Sequence, residues 1–154
     1  DRDFVDLDVI TLSLLGASSA TQAWQTHGEA AFRRAEVIAL ARALTRDGQV
    51  IALGGGTPTA PGAAALLQEA RAAGRSHLVY LKASVATLQA RLEEQGPTDR
   101  PSLTGADPVQ EVVAVLAARE PLYLQLADEV ISVDGAGESA ILQGLATLVG
   151  AAKN

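Results

Sequence analysis

The chain of 154 residues contains no cysteine and few aromatic residues. The absence of cysteine excludes disulfides, thiolate catalysis and cysteine-based metal centres. Histidine occurs only at His27 and His77, too few for a histidine-ligated metal cluster. Aromatic residues make up 3% of the chain, so its core must be aliphatic, which favours helices around an aliphatic sheet.

Charge and hydropathy limit the partners of the chain. The formal net charge of -6 repels phosphate backbones, so nucleic acid is not expected as a partner. No apolar run approaches the length that spans a bilayer, and the first residues do not resemble a signal peptide. We therefore expect no membrane partner and a cytoplasmic location.

Short apolar runs predict four strands, and amphipathic segments between them predict helices. The predicted strands are 3–6, 49–53, 77–81 and 129–133, and the predicted helices are 29–44, 61–73, 84–94, one from 108 onward and 138–150. The middle two strands are apolar on both faces, which is typical of strands buried in a parallel sheet. This alternation indicates one α/β domain over 1–154, a doubly wound parallel sheet with helices on both faces.

Ligands of open α/β sheets bind beyond the carboxyl ends of the strands. The first predicted strand leads into Asp6-Leu7-Asp8, and alternate residues of a strand point the same way, so both carboxylates are candidates to bind Mg²⁺ or accept a hydroxyl proton. A solvated turn with a helix cap explains the same pair, and on spacing alone it is favoured.

Three glycines follow the second predicted strand. Gly54, Gly55 and Gly56 allow the backbone to approach a ligand closely and to present N–H groups to it. A flexible turn into the next helix is the alternative. Three glycines directly after a buried strand favour the ligand-binding interpretation.

Three arginines are candidates to bind an anion. Arg33 lies in a helical segment, and Arg100 lies in residues 95–106, a polar stretch rich in Gly and Pro that predicts a mobile flap. For these two, a solvated surface charge is the simpler explanation when each is taken alone. Arg119 follows an apolar helical run, where a charge facing the core needs a partner.

Taken in order, these motifs resemble the shikimate kinase family over nearly the whole chain. The motifs are Phe4-x-Asp6-x-Asp8, Gly28-Glu29-x-x-Phe32-Arg33-x-x-Glu36, Val50-Ile-Ala-Leu-Gly54-Gly55-Gly56, Val79-Tyr80-Leu81, Arg100-Pro101 and Arg119-x-Pro121-Leu122-Tyr123. The second and the last are the most specific to the family. The resemblance implies a nucleoside-monophosphate-kinase-like P-loop fold, a monomer, and phosphoryl transfer from ATP to the 3-hydroxyl of shikimate with Mg²⁺.

The same resemblance implies roles for residues at the shikimate side. Asp8 would hold the shikimate hydroxyls and orient or deprotonate the nucleophile. Arg33 and Arg119 would clamp the carboxylate, and the pocket would be lined by the glycines 54–56. Shikimate is a small polyhydroxylated anion, which arginines and a carboxylate complement.

At the donor side the resemblance implies three more roles. Asp6 would reach the Mg²⁺ shell, and Arg100 in the flap would bridge both substrates. Arg91, at the base of the flap, would stack on adenine. The flap is about two residues longer than is usual in the family.

The phosphate-binding loop of the family, Gly-x-x-x-x-Gly-Lys-Ser/Thr, does not occur in these residues. In the family this loop and its strand precede the position of Phe4. Since the chain also has no methionine at position 1, we interpret residue 1 as an internal position of a longer gene product. The resulting expectation is a partial domain that lacks its first strand and, by itself, neither binds ATP nor has activity.

Two other functions stay open. A non-catalytic relative would bind shikimate or a partner without phosphorylating it, but the retained substrate residues favour an enzyme. A related kinase, for example one acting on gluconate, is disfavoured by the Gly-Glu-x-x-Phe-Arg motif and the two arginines. The upstream gene sequence and a panel of acceptors distinguish these functions.

Overall fold

A computed structural model describes residues 2–95 and 108–151. The strands are β1 (Asp3–Asp6), β2 (Gln49–Ala52), β3 (Val79–Lys82) and β4 (Glu129–Ser132). The helices are α1 (Leu7–Leu15), α2 (Ala20–Ala43), α3 (Ala63–Ala72), α4 (Val85–Gln95), α5 (Pro108–Leu126) and α6 (Glu138–Ala151). A short 3-10 helix spans Thr57–Thr59.

The strands form two parallel pairs. β1 pairs with β2, placing Phe4 opposite Val50, and β3 pairs with β4. Two helices lie between the strands of each pair along the chain, α1 and α2 in the first and α4 and α5 in the second. Parallel neighbours require such crossover connections, so each pair is a β–helix–β unit, as the strand and helix pattern predicts.

The described chain divides into two compact units, which are residues 2–77 and residues 78–95 with 108–151. The expectation of a single domain stays a prediction. The predicted flap falls almost entirely between the two described ranges, and Arg100 with it lies outside the described residues.

The core of the first unit is aliphatic and rich in alanine. α1 packs against α2, and the fully buried side chains include Leu7, Leu40 and Leu67. Four buried alanines on α2 (Ala23, Ala35, Ala39 and Ala43) present little side-chain volume and so allow close packing of the helix. The low aromatic content predicts this kind of core.

One face of the first strand pair is open. The register partners Phe4 and Val50 are 70% and 41% exposed. The expectation that the two middle strands are buried on both faces is therefore wrong for β2, and it is also wrong for β3, in which Leu81 is 44% exposed.

In the second unit, α4 packs against α5 beside the β3–β4 pair. The carboxylate of Asp128 accepts a hydrogen bond from the Leu78 N–H at 2.8 Å, just before β3 begins. The hydroxyl of Ser84 accepts a hydrogen bond from the Thr87 N–H at 3.3 Å and so caps the start of α4. In residues 2–95 and 108–151 no helix combines the length and the apolar character needed to cross a membrane.

Candidate active site

Asp6 ends β1 and begins α1 without an intervening loop. Its backbone is extended (φ -89°, ψ 115°), and its Oδ1 accepts a hydrogen bond from the Asp8 N–H at 2.9 Å. Asp6 is therefore the N-cap of α1. The argument that Asp6 and Asp8 alternate along one strand is wrong, because Leu7 and Asp8 already belong to the first helical turn. The helix-cap interpretation of Asp6 is confirmed, and its Mg²⁺ role stays a prediction.

The Asp8 carboxylate lies against the first residue of the three-glycine turn. A Cβ on Gly54 would stand 2.9 Å from Asp8 Oδ1, so any other residue at this position would displace the carboxylate. Burial raises the pKa of the Asp8 carboxyl above its ordinary value of 3.8, and the charges of Asp6 and Glu36 raise it further. A carboxylate with a raised pKa is a better proton acceptor at neutral pH, as a general base requires.

The Arg33 guanidinium lies against the last residue of the same turn. A Cβ on Gly56 would collide with Nη1 of Arg33 and would stand 2.9 Å from its Cζ. The turn therefore holds a carboxylate beside Gly54 and a guanidinium beside Gly56. The structure thus brings together four predicted site residues, namely Asp8, Arg33, Gly54 and Gly56, with Gly55 between the two glycines.

A buried carboxylate fixes the position of Arg33. Nη1 of Arg33 donates to Oε2 of Glu36 at 2.7 Å, and the two side chains are 12% and 3% exposed. The hydroxyl of Thr57 donates to the other oxygen, Oε1, at 2.9 Å. We call Arg33, Glu36 and Thr57 the Glu36 network. Glu29 lies 3.7 Å from Nε of Arg33 but is 63% exposed, so it adds little.

Two aromatic rings form a wall beside the guanidinium. Cζ of Arg33 lies 5.2 Å from the Trp24 ring centroid and 6.0 Å from that of Phe32, distances suited to cation–π attraction. The rings contact each other with centroids 5.5 Å apart. Arg33 is thus held between a buried carboxylate and an aromatic wall, with the remainder of its five N–H donors available to a ligand.

Gly28 makes this arrangement possible by interrupting α2. Its φ of 76° and ψ of 164° are non-helical, a backbone region that is essentially restricted to glycine. The segment before the kink carries Trp24, and the segment after it carries Phe32, Arg33 and Glu36. The kink therefore sets the angle at which Trp24 meets the arginine.

The second unit carries Arg91 on α4 and Arg119 on α5. Arg119 is half-buried and Arg91 is exposed. Near Arg119, Tyr123 contacts Tyr80 with ring centroids 5.3 Å apart, which joins α5 to β3. The tyrosine of the Arg-x-Pro-Leu-Tyr motif therefore packs between elements. The ligand roles of Arg91 and Arg119 stay predictions.

The exposed residue Asp134 lies close enough to Arg91 for their charges to interact. Hydrogen bonds from Thr87 and Ser84 lower the pKa of the Asp134 carboxyl, and the charge of Arg91 contributes a smaller effect in the same direction. Asp134, in the turn after β4, therefore stabilises the start of α4.

Comparison with known protein families shows which family the chain belongs to. The family model described as "Shikimate kinase" matches residues 1–149. The chain belongs to the shikimate kinase family. A shikimate kinase of Stenotrophomonas maltophilia is 40% identical over 133 residues, covering 86% of this chain and 69% of the relative. A shikimate kinase of Symbiobacterium thermophilum is 39% identical over 135 residues, covering 86% and 73%.

Solved shikimate kinases share the fold. The structure of the Acinetobacter baumannii enzyme in complex with shikimate matches with a TM-score of 0.80 at 27% identity, covering 97% of this chain and 79% of that one. The enzyme of Bacteroides thetaiotaomicron matches with a TM-score of 0.75 at 22% identity, covering 99% and 85%, and supports the fold alone. The predicted α/β fold of a shikimate kinase is confirmed.

As a member of the shikimate kinase family the chain is a phosphotransferase, and its residues can be tested for a fit to Mg²⁺. No group of three or more His, Asp or Glu side chains converges within the described ranges. Mg²⁺ nonetheless is commonly held by one or two carboxylates, with waters and substrate phosphates completing the shell. Asp6 and Asp8 lie close enough for the charge of Asp6 to raise the pKa of Asp8, and a cation between them would relieve that repulsion. The pair fits Mg²⁺.

Sequence reasoning missed the structural role of Glu36 and the whole contribution of Thr57. Glu36 was part of the family motif, but no partner was assigned to it. The sequence does contain a signal for this pairing. Glu36 lies three residues after Arg33 on a helix face that is otherwise apolar, and a buried charge there must be paired.

Proposed function

We propose that the protein transfers a phosphoryl group from ATP to the 3-hydroxyl of shikimate, giving shikimate 3-phosphate. One observation carries the proposal. The three-glycine turn holds the Asp8 carboxylate against Gly54 and the Arg33 guanidinium against Gly56. A proton acceptor and a carboxylate-binding cation at two ends of one turn complement a ligand that has a hydroxyl at one end and a carboxylate at the other.

The arginine side of the site binds the substrate carboxylate. Glu36 engages Nη1 of Arg33, and the other N–H groups of the guanidinium remain to pair with a carboxylate. The aromatic wall of Trp24 and Phe32 excludes water from one side of the guanidinium, which strengthens the ion pair. Arg119 is proposed as a second cation for the same carboxylate, on the strength of the family motif.

The aspartate side of the site acts on the hydroxyl. With its raised pKa, Asp8 accepts the hydroxyl proton as the oxygen attacks the γ-phosphorus of ATP, the bond to the β,γ-bridging oxygen breaks and ADP leaves. Because Asp8 belongs to the first turn of a capped helix, its carboxylate is held in place before the substrate arrives.

On the donor side, Asp6 is proposed to reach the shell of Mg²⁺, which when bound would neutralise charge on the transferring phosphate. We propose Arg100 as a bridge between the two substrates and Arg91 as a contact to adenine, both from the family resemblance. The Gly-x-x-x-x-Gly-Lys-Ser/Thr motif does not occur among the 154 residues, so none of them is assigned to cradle the donor phosphates.

The proposed enzyme works as a monomer in the cytoplasm on two small molecules, without nucleic acid or membrane. The acidic net charge of -6 supports the exclusion of nucleic acid. Analytical ultracentrifugation tests the monomer, and a concentration-independent mass of one chain is the expected result.

The test of the function is calorimetric binding of shikimate together with a phosphorylation assay on shikimate and gluconate. Shikimate is expected to bind and to be the phosphorylated acceptor. Binding without phosphorylation in the full-length protein would support the non-catalytic alternative. Phosphorylation of gluconate in preference to shikimate would overturn the proposed substrate.

A further inference from the structure

Thr57 is a buried polar residue that the proposed mechanism does not use. It is 0% exposed and begins the 3-10 helix directly after the three-glycine turn. Its hydroxyl donates to Oε1 of Glu36 at 2.9 Å, across 21 positions of sequence. This side chain therefore joins the turn to α2.

The turn does not need this hydroxyl for its own shape. Its backbone is closed by hydrogen bonds from the Thr57 N–H to the Gly54 carbonyl and from the Thr59 N–H to the Gly56 carbonyl, each 3.0 Å long. The Ala60 N–H donates to the Thr57 carbonyl at the same distance. The hydroxyl of Thr57 thus acts on Glu36, not on the local backbone.

The two oxygens of Glu36 face donors from different elements. Oε1 accepts from Thr57 on the turn, and Oε2 accepts from Arg33 on its own helix. Glu36 is 2% exposed, so a lost donor is not replaced by bulk water, and the carboxylate would turn to find another partner. Any such rotation moves Oε2 and with it the guanidinium that lies against Gly56.

We propose that Thr57 is a positioning residue for the substrate carboxylate, because its hydroxyl fixes the Glu36 carboxylate and thereby holds Arg33 beside Gly56. This inference rests on the proposed function, in which Arg33 binds the carboxylate of shikimate. Thr57 itself touches no reacting atom. It determines how well the arginine is oriented before the ligand binds.

The test compares Thr57→Val, which keeps the shape and removes the hydroxyl, with Thr57→Ser, which keeps the hydroxyl. The probes are shikimate and its methyl ester, which lacks the negative charge. Thr57→Val is expected to bind shikimate about tenfold more weakly, the equivalent of one lost hydrogen bond to a charged group. In the full-length protein, KM for shikimate is expected to rise while kcat changes little. Thr57→Ser restores the affinity, and binding of the ester is the same in all three proteins.

A double-mutant cycle of Thr57→Val and Arg33→Ala separates an effect that acts through Arg33 from a general loss of structure. If Thr57 acts through Arg33, then Thr57→Val has no further effect on shikimate binding once Arg33 is alanine. Thr11→Val is the matched control, since Thr11 is equally buried but its hydroxyl donates only to the Leu7 carbonyl one turn back, at 2.9 Å. That control is expected to lower Tm and to keep the preference for shikimate over the ester.

Several outcomes overturn the inference. These are unchanged shikimate binding in Thr57→Val, an equal loss for shikimate and the ester, or an additive loss in the Arg33→Ala background. Thr57→Ala, which also lacks the hydroxyl but has less volume, serves if thermal melting shows that Thr57→Val is unfolded. Failure of the proposed function is recognised separately, because the unsubstituted protein would then neither bind nor phosphorylate shikimate.

Discussion

The guanidinium of Arg33 occupies the space in which any residue other than glycine at position 56 would place its Cβ. The contact involves the rigid end of a side chain that Glu36 already holds at 2.7 Å. A methyl group at position 56 must therefore either push the guanidinium away from Glu36 or distort the turn.

Gly56→Ala is expected to weaken shikimate binding by about 10- to 100-fold, the range for losing a hydrogen bond to a charged group. Calorimetric titration with shikimate measures the effect. Gly144→Ala on α6 is the matched control, because the nearest atom to its Cβ would be Ile131 Cδ1 at an ordinary 3.7 Å. Equal binding by the two variants would show that the contact between Arg33 and Gly56 has no role in recognition.

Removal of either predicted carboxylate-binding arginine should weaken shikimate binding strongly. Arg33→Ala and Arg119→Ala are each expected to lose about 2–5 kcal/mol, the range for cutting one partner of a desolvated charge pair. Arg34→Ala tests the neighbouring exposed arginine on the same helix and should bind normally. Unchanged affinity in both Arg33→Ala and Arg119→Ala would rule out the proposed carboxylate site.

Replacing Asp8 separates its effect on stability from its effect on catalysis. Its pKa is raised in the folded state, chiefly by burial, so its ionisation disfavours folding above that pKa, and this penalty disappears as the pH falls below 3.8. Asp8→Asn is therefore expected to melt at a higher temperature than the parent at neutral pH, with the gain vanishing in acid. If Asp8→Asn still melted at a higher temperature than the parent below pH 3.8, the stabilisation would not come from the ionisation of Asp8.

The same substitution removes the proposed general base. Asp8→Asn is expected to reduce kcat by about 10²- to 10⁴-fold, the usual contribution of such a group. A coupled assay of shikimate phosphorylation at saturating substrate gives kcat. Near-normal turnover would assign the proton transfer to another group.

Gly28→Ala tests the kink in α2. The backbone region at φ 76° and ψ 164° is costly for a residue with a Cβ, so the substitution should lower the free energy of unfolding by about 1–3 kcal/mol. No atom lies within 4 Å of the added Cβ, so the effect is backbone strain and not a steric clash. Denaturant titration measures it, with Gly144→Ala again as control. A variant as stable as the parent would mean that the helix straightens without loss.

The strands were predictable because their apolar runs are short and bounded by polar residues. β1 has the predicted bounds, and the helix that begins at Pro108 is also confirmed. α1 was missed because its β-branched residues Val9, Ile10 and Thr11 resemble a continuing strand. What fixes the helix is the pair of caps at Asp6 and Gly16, whose spacing suits a nine-residue helix.

The first half of α2 and the start of α3 were also placed differently. The helix before Gly28 was not predicted, because a glycine inside an amphipathic pattern normally signals an end and not a kink. Pro61 was expected to open α3, but the helix begins at Ala63 with Gly62 as its N-cap. Hydrophobic spacing and capping residues predicted a helix at each of these two places, but not the residues at which the helices begin.

The candidate site was predictable where a motif marks it. Asp8, Arg33 and the glycines at 54 and 56 were named from the sequence, and the structure brings them together. The Glu36 network could not be predicted, because the hydrogen bond between Thr57 and Glu36 joins residues 21 positions apart and leaves no local pattern in the sequence.

Because α1 follows β1 directly, the position of Asp8 depends on the exact number of residues at this junction. No loop residue separates Asp6 from Leu7, so one inserted or deleted residue has nowhere to be absorbed. Since each residue turns a helix by about 100°, a single insertion after Asp6 would swing the carboxylate of Asp8 away from Gly54 while leaving every residue of the site present. In relatives that use the proposed base, we therefore expect substitutions at this junction and no change in its length.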